Sequence, residues 1–199
     1  MRENAKAPKS VKAQITRASL VVAAAAILRA QGPSAVTYRR VAEWADASSS
    51  SVGYYFASIN DLLEEAASYN ISMWAQRAEK VANNCSALST EECRKGIVGL
   101  LMRACLPEGI TVPAAHYEQL ITASESEIVT RAYRNGRVRL DAALEDILRC
   151  AKLSIPPVLI TSVVDGASVK ALSEGLDLRE LVKEALEIVV SLYLEKTTF

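Results

Sequence analysis

Histidine occurs once in the 199 residues, at His116, so imidazole-based general acid–base chemistry has one candidate and no second histidine to pair with it. The four cysteines, Cys85, Cys93, Cys105 and Cys150, show no CxxC spacing and no metal-ligand spacing with His116. There is no phosphate-cradling glycine loop, no Ser/His/Asp arrangement and no carboxylate pair in a glycine-bounded pocket. An enzyme is therefore the least supported class, and no cofactor or metal is expected. The apolar run 20–28 is too short to cross a bilayer and is flanked by Arg17 and Arg29. With no signal peptide visible, a soluble cytoplasmic protein without membrane contact is expected. In that setting the cysteines read as reduced, plainly buried thiols. Cys85 and Cys93 flank an expected helix–helix turn and are the one spacing that would suit a redox pair.

Glycine (8) and proline (6) are also scarce, while half of the residues are hydrophobic. Ala, Leu, Val and Glu recur at helical spacing, so the fold class is all-α. Net charge is zero, but it is unevenly spread. Residues 1–60 hold eight bases (Arg2, Lys6, Lys9, Lys12, Arg17, Arg29, Arg39, Arg40) and three acids (Glu3, Glu43, Asp46). The other 15 bases and 20 acids leave the remainder mildly acidic. A basic module on an acidic body is the electrostatic footprint of nucleic-acid contact by one part of the molecule.

Nine helices are expected. Ser10 caps the first, about 11–30, and Gly32-Pro33 closes it. Thr37 caps a second, about 38–45, and Ser48 a third, about 49–55. Helices this short must lean on the first. Ser58 and Asp61 open a long fourth helix, about 59–82. Ser89 and Glu92 form a capping box for a fifth, about 90–106, which Pro107, Glu108 and Gly109 end. A sixth covers about 112–123. Ser124 caps a seventh, about 125–152. The eighth, about 155–174, tolerates Pro156 and Pro157 in its first turn, and the ninth spans about 178–195. The domain boundary falls at the start of the fourth helix or inside it, giving units at 10–58 and 59–199.

Residues 37–63 carry the most specific signal. Two short helices meet at a turn tight enough for a helix-turn-helix. The second is crowded with Ser48, Ser49, Ser50, Ser51, Tyr54 and Tyr55 where a core helix would be apolar. Such a face meets water or a polar partner, here the major groove of double-stranded DNA. The serine hydroxyls reach base edges or phosphates, Tyr54 and Tyr55 offer hydroxyls and ring edges, and Gly53 permits close approach. Thr37, Tyr38, Arg39 and Arg40 begin the second helix, where phosphate contacts set register. The plainer alternative is that Ser48 only caps, Tyr54 fills the small core beside Phe56, and Tyr38 and Arg39 lie on a solvated face.

The eighth and ninth helices are apolar around most of their circumference, so they need a second partner. The expected interface is a four-helix contact about a twofold axis using Val163, Gly166, Ala167, Leu186, Val189 and Tyr193. The alternative is that helices five to seven bury this surface within one protomer.

Taken together, residues 14–63 resemble the TetR family of bacterial one-component repressors. The resemblance rests on the first helix, Gly32, Val36-Thr37-Tyr38-Arg39-Arg40-Val41-Ala42, Val52-Gly53-Tyr54-Tyr55-Phe56 and Leu62-Leu63. Beyond residue 70 it reduces to helix count, length and Val163-Val164-Asp165-Gly166 with Leu172, which is similar to the family's dimerisation helix. It implies a homodimer on a short palindromic operator, a pocket for a small-molecule effector in the C-terminal helices, and release from DNA when that pocket fills. Two positions depart from the pattern. Asp46 stands where the turn usually has Gly, and Ile59 where a phosphate-binding Lys is usual. Losing that Lys lowers expected affinity and its salt dependence; Arg39, Arg40, Lys6, Lys9 and Lys12 can compensate.

Candidate effector-lining residues are Tyr69, Met73, Trp74, Met102, Cys105, His116, Tyr117, Leu120 and Tyr133, a mixed aromatic and soft set suited to apolar ligands. For each of them ordinary core is the stronger reading, and for His116 a hydrogen-bonded or exposed residue. Arg131, Arg134, Arg137 and Arg139 could receive an acidic ligand, but Glu125, Glu127, Asp141 and Glu145 on the same helix favour ion pairing there. A ligand against the C-terminal half of the fourth helix would tilt it and move the reading heads. In the dimer these must stand about 34–36 Å apart to enter successive major grooves. The competing function is a module of this fold that has lost tight operator contact, as Ile59 and Asp46 would suggest.

Overall fold

The computed structural model describes residues 10–106 and 113–196. Among them are nine α-helices, two short 3-10 turns and no strand, so the all-α expectation holds. Lys6 and Lys9, and the expected stop at Pro107, Glu108 and Gly109, lie outside the described residues.

The helices are α1 (Val11–Gln31), α2 (Tyr38–Trp44), α3 (Ser49–Tyr55), α4 (Ile59–Cys85), α5 (Thr90–Cys105), α6 (Pro113–Thr122), α7 (Glu127–Cys150), α8 (Pro157–Glu174) and α9 (Leu178–Lys196). Ser10, Thr37 and Ser48 cap α1, α2 and α3 as their hydroxyls require, each accepting a backbone N–H three residues on. The Ser89–Glu92 capping box forms on α5.

Three boundaries differ from the expected ones. α4 continues to Cys85, because Asn83 and Asn84 carry no helix-stopping geometry. Ala123–Glu125 forms a 3-10 turn, so the hydroxyl at the head of α7 is Ser126, which accepts from the Val129 amide at 3.5 Å, and not Ser124. α8 begins two residues late because Pro156 precedes Pro157; a residue before proline is pushed out of the helical region, and Pro156 sits at ψ 129°.

The chain divides into two compact units, and the line falls within α4, between Ser72 and Met73. The first unit holds the described residues through Ser72 together with Ala115–Gly136. Its core gathers Leu20, Ile27 and Leu28 of α1, Val41 of α2, Val52 and Phe56 at α3, Leu62 and Ala66 of α4, and Val129 and Ala132 of α7. Arg17 covers one edge of this core, its guanidinium 4.8 Å from the Phe56 ring centre while it pairs with Glu65. A polar strut crosses the same unit. Arg29 donates to the Asn70 side chain, and Asn70 Nδ2 donates to the Ala25 carbonyl at 3.2 Å. Asn70 is buried, and this arrangement satisfies its amide.

The second unit holds the described residues of Met73–Ala114 and Arg137–Phe199. Ile97, Leu101, Leu144, Ile147, Leu148, Ile160, Val164, Val182 and Leu186 form its core. Ion pairs tie its helices together: Arg139 forks onto Glu79 at 2.9 and 2.8 Å, and Arg137 stands 3.8 Å from Asp165. In the first unit Arg131 stands 3.6 Å from Glu64. Arg131, Arg137 and Arg139 therefore pair with acids on α4 and α8, while Arg149 pairs with Glu145 and Asp146 on α7 itself. One-dimensional spacing marks the pairing within α7 but gives no view of the cross-helix neighbours.

Candidate nucleic-acid interface

The short helices α2 and α3 meet at Ala45, Asp46 and Ala47. The Ala45 amide donates to Val41 and the Ala47 amide to Ala42, at 3.0 and 2.9 Å. These bonds close α2 with a left-handed residue between them, and that residue is Asp46, at φ +50°. Asp is among the few non-glycine residues that visit this region readily, so the turn keeps its shape without glycine. The next residues extend to Ser48, whose hydroxyl accepts from the Ser51 amide at 3.1 Å and lies 2.8 Å from both the Ser50 and Ser51 hydroxyls.

α3 has two faces. Val52 is buried, and Phe56, just past its end, is buried with it. Ser48, Ser49, Ser50, Gly53 and Tyr54 point outward, and Tyr54 keeps 65% of its surface exposed. Tyr54 therefore does not fill the core beside Phe56. Tyr55 is half-buried against that core and meets Tyr54 edge to face, 5.1 Å between ring centres. Gly53 is the telling position. A Cβ built there meets nothing within 4 Å, so no packing inside this chain requires glycine. Glycine inside a helix costs roughly 0.5–1 kcal/mol relative to alanine. Gly96 and Gly166 have the same open space, so Gly53 is set apart by the exposed serines and tyrosine around it.

The α2 residues divide differently. Thr37 caps, accepting from the Arg40 amide at 3.4 Å. Tyr38 is partly buried; its hydroxyl donates to the Phe56 carbonyl at 3.4 Å, and burial raises its pKa above the ordinary phenol value. Arg39 is exposed, 3.6 Å from Glu43, a pair loose enough to open to a phosphate. Arg40 is partly buried and donates to the Gln31 side chain. Lys12 is exposed on α1. Ile59 is half-buried and joins the apolar core of the first unit.

The two units divide the candidate effector residues. Tyr69, His116, Tyr117, Leu120 and Tyr133 belong to the first; Met73, Trp74, Met102 and Cys105 belong to the second. Tyr117 is buried and His116 meets it edge to face at 5.0 Å. Burial pushes the Tyr133 hydroxyl up to about 12, against the opposing influence of Asn70 and Arg29. Burial likewise pushes the Cys105 thiol up to about 12. Two surface grooves, of about 540 and 580 Å³, are lined by none of these nine residues. The larger runs along Ile15, Val22 and Trp44 on the first unit.

On α8 and α9, Val163, Ala167, Val189 and Tyr193 are partly buried against the core of the second unit, and Gly166 is exposed with open space above it. Leu186 is fully buried inside the protomer, so it cannot line a contact with a second copy. Helical periodicity placed it on an apolar stripe without telling which side of the stripe faces inward. Val158, Val169, Leu172, Ile188 and Leu192 are the large apolar residues these helices leave exposed, Val158 at 64% and Ile188 at 62%. A single protomer therefore does not cover the whole pair.

The cysteines depart most from expectation. Cys93, at the start of α5, and Cys150, the last residue of α7, are joined by a disulfide, with Cα atoms 6.1 Å apart across a sequence separation of 57. Cys85 and Cys105 are free. The pair is not the one that spacing suggested, because the partners come together only through the folding of α5 onto α7.

Residues 20–66 match the model for bacterial regulatory proteins of the tetR family. No curated protein matches the chain. Among solved structures, a protein from Mesorhizobium loti described as a TetR-family transcriptional regulator aligns with a TM-score of 0.63 at 17% identity, covering 92% of this chain and 99% of that one. A Saccharomonospora viridis transcriptional regulator in complex with choline aligns at 0.65 and 17% identity, over 88% and 96%. SmeT, the repressor of the Stenotrophomonas maltophilia multidrug efflux pump SmeDEF, aligns at 0.57 and 18% identity, over 91% of each chain. At these identities the likeness is one of fold.

Proposed function

We propose that this chain, whose residues 20–66 match the tetR family of bacterial regulatory proteins, is a ligand-responsive repressor that grips a palindromic operator as a homodimer and lets go when a small effector binds. The observation that carries this reading is the outer face of α3. Three exposed serines, a glycine with open space above it and an exposed tyrosine form a surface that internal packing does not explain. A helix of this make-up suits the major groove, with serine hydroxyls at base edges and the Gly53 backbone close to the duplex. Arg39 on α2 and Lys12 on α1 supply exposed positive charge in the same unit, and Thr37 with Arg40 hold the start of α2 in place. Cytoplasmic residence follows from a chromosomal target.

Two copies are needed because half-sites repeat with the helical turn. The exposed apolar residues Val169, Leu172, Ile188 and Leu192, with the exposed Gly166, are the surface on which a second copy would sit. The choline-bound and pump-repressing relatives of this fold support a small-molecule effector and repression as the mode. α4 contributes residues both to the head's core and to the second unit, so a change in its pose is the simplest route from effector to DNA.

Selection of bound duplexes from random DNA tests the reading. The expected result is a palindromic consensus with half-sites about one helical turn apart, bound by two copies. Recovery of no consensus at low salt would leave the chain a module of this fold without an operator.

A further inference from the structure

We propose that Cys93 and Cys150 form a reversible thiol–disulfide site, oxidised by small hydroperoxides, that gives this regulator an oxidant input separate from its effector. The consequence for DNA rests on the regulator reading above; the chemistry of the pair does not.

Four observations converge on this pair. The two cysteines are already in bonding register, Cα to Cα 6.1 Å, within the range a disulfide spans without backbone movement. A second contact supports that register. Arg94, the neighbour of Cys93, donates its Nε to the carbonyl of Ala151, the neighbour of Cys150, at 2.9 Å. This clip ties the start of α5 to the end of α7 through atoms other than the sulfurs.

The pair is also chemically asymmetric. Cys150 is partly exposed and Cys93 is fully buried. A small oxidant reaches the first, and only a sulfur already beside it reaches the second. The other two cysteines do not compete. Cys85 is buried, and burial raises its pKa as it does that of Cys105, so both stay protonated and poorly nucleophilic.

Finally, the two sulfurs share a neighbour. The Cys85 carbonyl, on the last residue of α4, lies 3.3 Å from the Cys150 sulfur and 3.9 Å from the Cys93 sulfur. A thiol donates weakly to that carbonyl; a disulfide sulfur has no hydrogen to donate. Oxidation therefore removes a bond from the end of α4, the helix whose other end contributes Leu62 and Ala66 to the core of the DNA-contacting unit.

The chemistry balances in two steps. The Cys150 thiolate attacks one peroxide oxygen, the O–O bond breaks, and an alcohol leaves, or water when the oxidant is hydrogen peroxide. The product is a sulfenic acid at Cys150. The Cys93 sulfur then displaces that oxygen as water, and the S–S bond closes. Two thiols lose two electrons and two protons, and the hydroperoxide is reduced to one alcohol and one water. A DNA-binding regulator works where glutathione and thioredoxin keep thiols reduced, so a disulfide there is a transient, sensing one.

The test uses the full chain, reduced with dithiothreitol and then exposed to hydrogen peroxide. Peptide mapping should find a Cys93–Cys150 crosslink that dithiothreitol reverses. Cys150→Ser should abolish it, and Cys105→Ser should leave it in place. Affinity for the selected operator should change about fivefold or more between the two states of the wild type, the size of an ordinary allosteric coupling. Thiols that stay free under peroxide, or a crosslink joining other cysteines, would overturn the site. A correct crosslink with unchanged operator affinity would overturn its role as an input. A chain that binds no duplex even when reduced would instead defeat the regulator reading, while the crosslink map still decides the chemistry.

Discussion

Gly136 on α7 lies so close to Ile71 on α4 that a Cβ on the glycine would stand 2.3 Å from Ile71 Cγ2 and 2.5 Å from Cγ1. Both residues belong to the first unit. The missing side chain is what lets α7 lie against α4 there. Gly136→Ala should destabilise the chain by roughly 1–3 kcal/mol, the usual cost of forcing atoms into a closed contact. The same substitution in an Ile71→Ala background should cost less, because the opposing methyls are gone. Urea unfolding of the four proteins of that cycle measures both numbers; additive costs would mean that the contact does not constrain these helices.

A second expectation concerns assembly. Ile188 and Leu192 are exposed one turn apart on α9. A charge at either position should leave the protomer folded, since neither side chain is in its core. Ile188→Glu or Leu192→Glu should shift sedimentation from two copies toward one and weaken operator binding by more than tenfold. A variant that sediments like the wild type would place the interface elsewhere. Leu186→Ala should behave differently, costing roughly 2–5 kcal/mol of protomer stability because that side chain is fully buried.

A third follows from Tyr133. Burial holds its hydroxyl at about 12, above the ordinary 10, so the folded state favours the protonated phenol. A group whose folded pKa is raised contributes stability that is fully present below the unfolded value and is lost as pH rises through the folded one. The chain should therefore lose stability between about pH 10 and 12, by on the order of 2 kcal/mol from this group. Unfolding curves taken across that window should be flatter for Tyr133→Phe. Equal slopes would assign the alkaline loss to other groups.

Much of the fold was legible because caps and apolar period act locally. Ser10, Thr37, Ser48 and Ser89 begin helices where their hydroxyls accept backbone amides, and each start falls where the sequence put it. The face of α3 was legible too, since serine and tyrosine at helical spacing exclude a core role. What failed was long-range. The Cys93–Cys150 pair, the α7-to-α4 ion pairs and the Gly136–Ile71 contact all depend on which helices become neighbours, and no local spacing encodes that. Leu186 shows the same limit: the period marked its stripe but not the direction of the core. The placement of Ala115–Gly136 with the first unit was equally hidden, because an amphipathic helix announces that it needs a partner and not which one.

Gly53→Ala tests the central claim most directly, because the two readouts should move in opposite directions. The added methyl meets nothing within 4 Å in the free chain, so the variant should be as stable as the wild type or up to roughly 1 kcal/mol more so. Against the selected duplex, followed by fluorescence anisotropy at fixed salt, its affinity should fall about tenfold or more, about 1.4 kcal/mol. Unchanged affinity in a fully folded Gly53→Ala protein would contradict the placement of α3 against DNA.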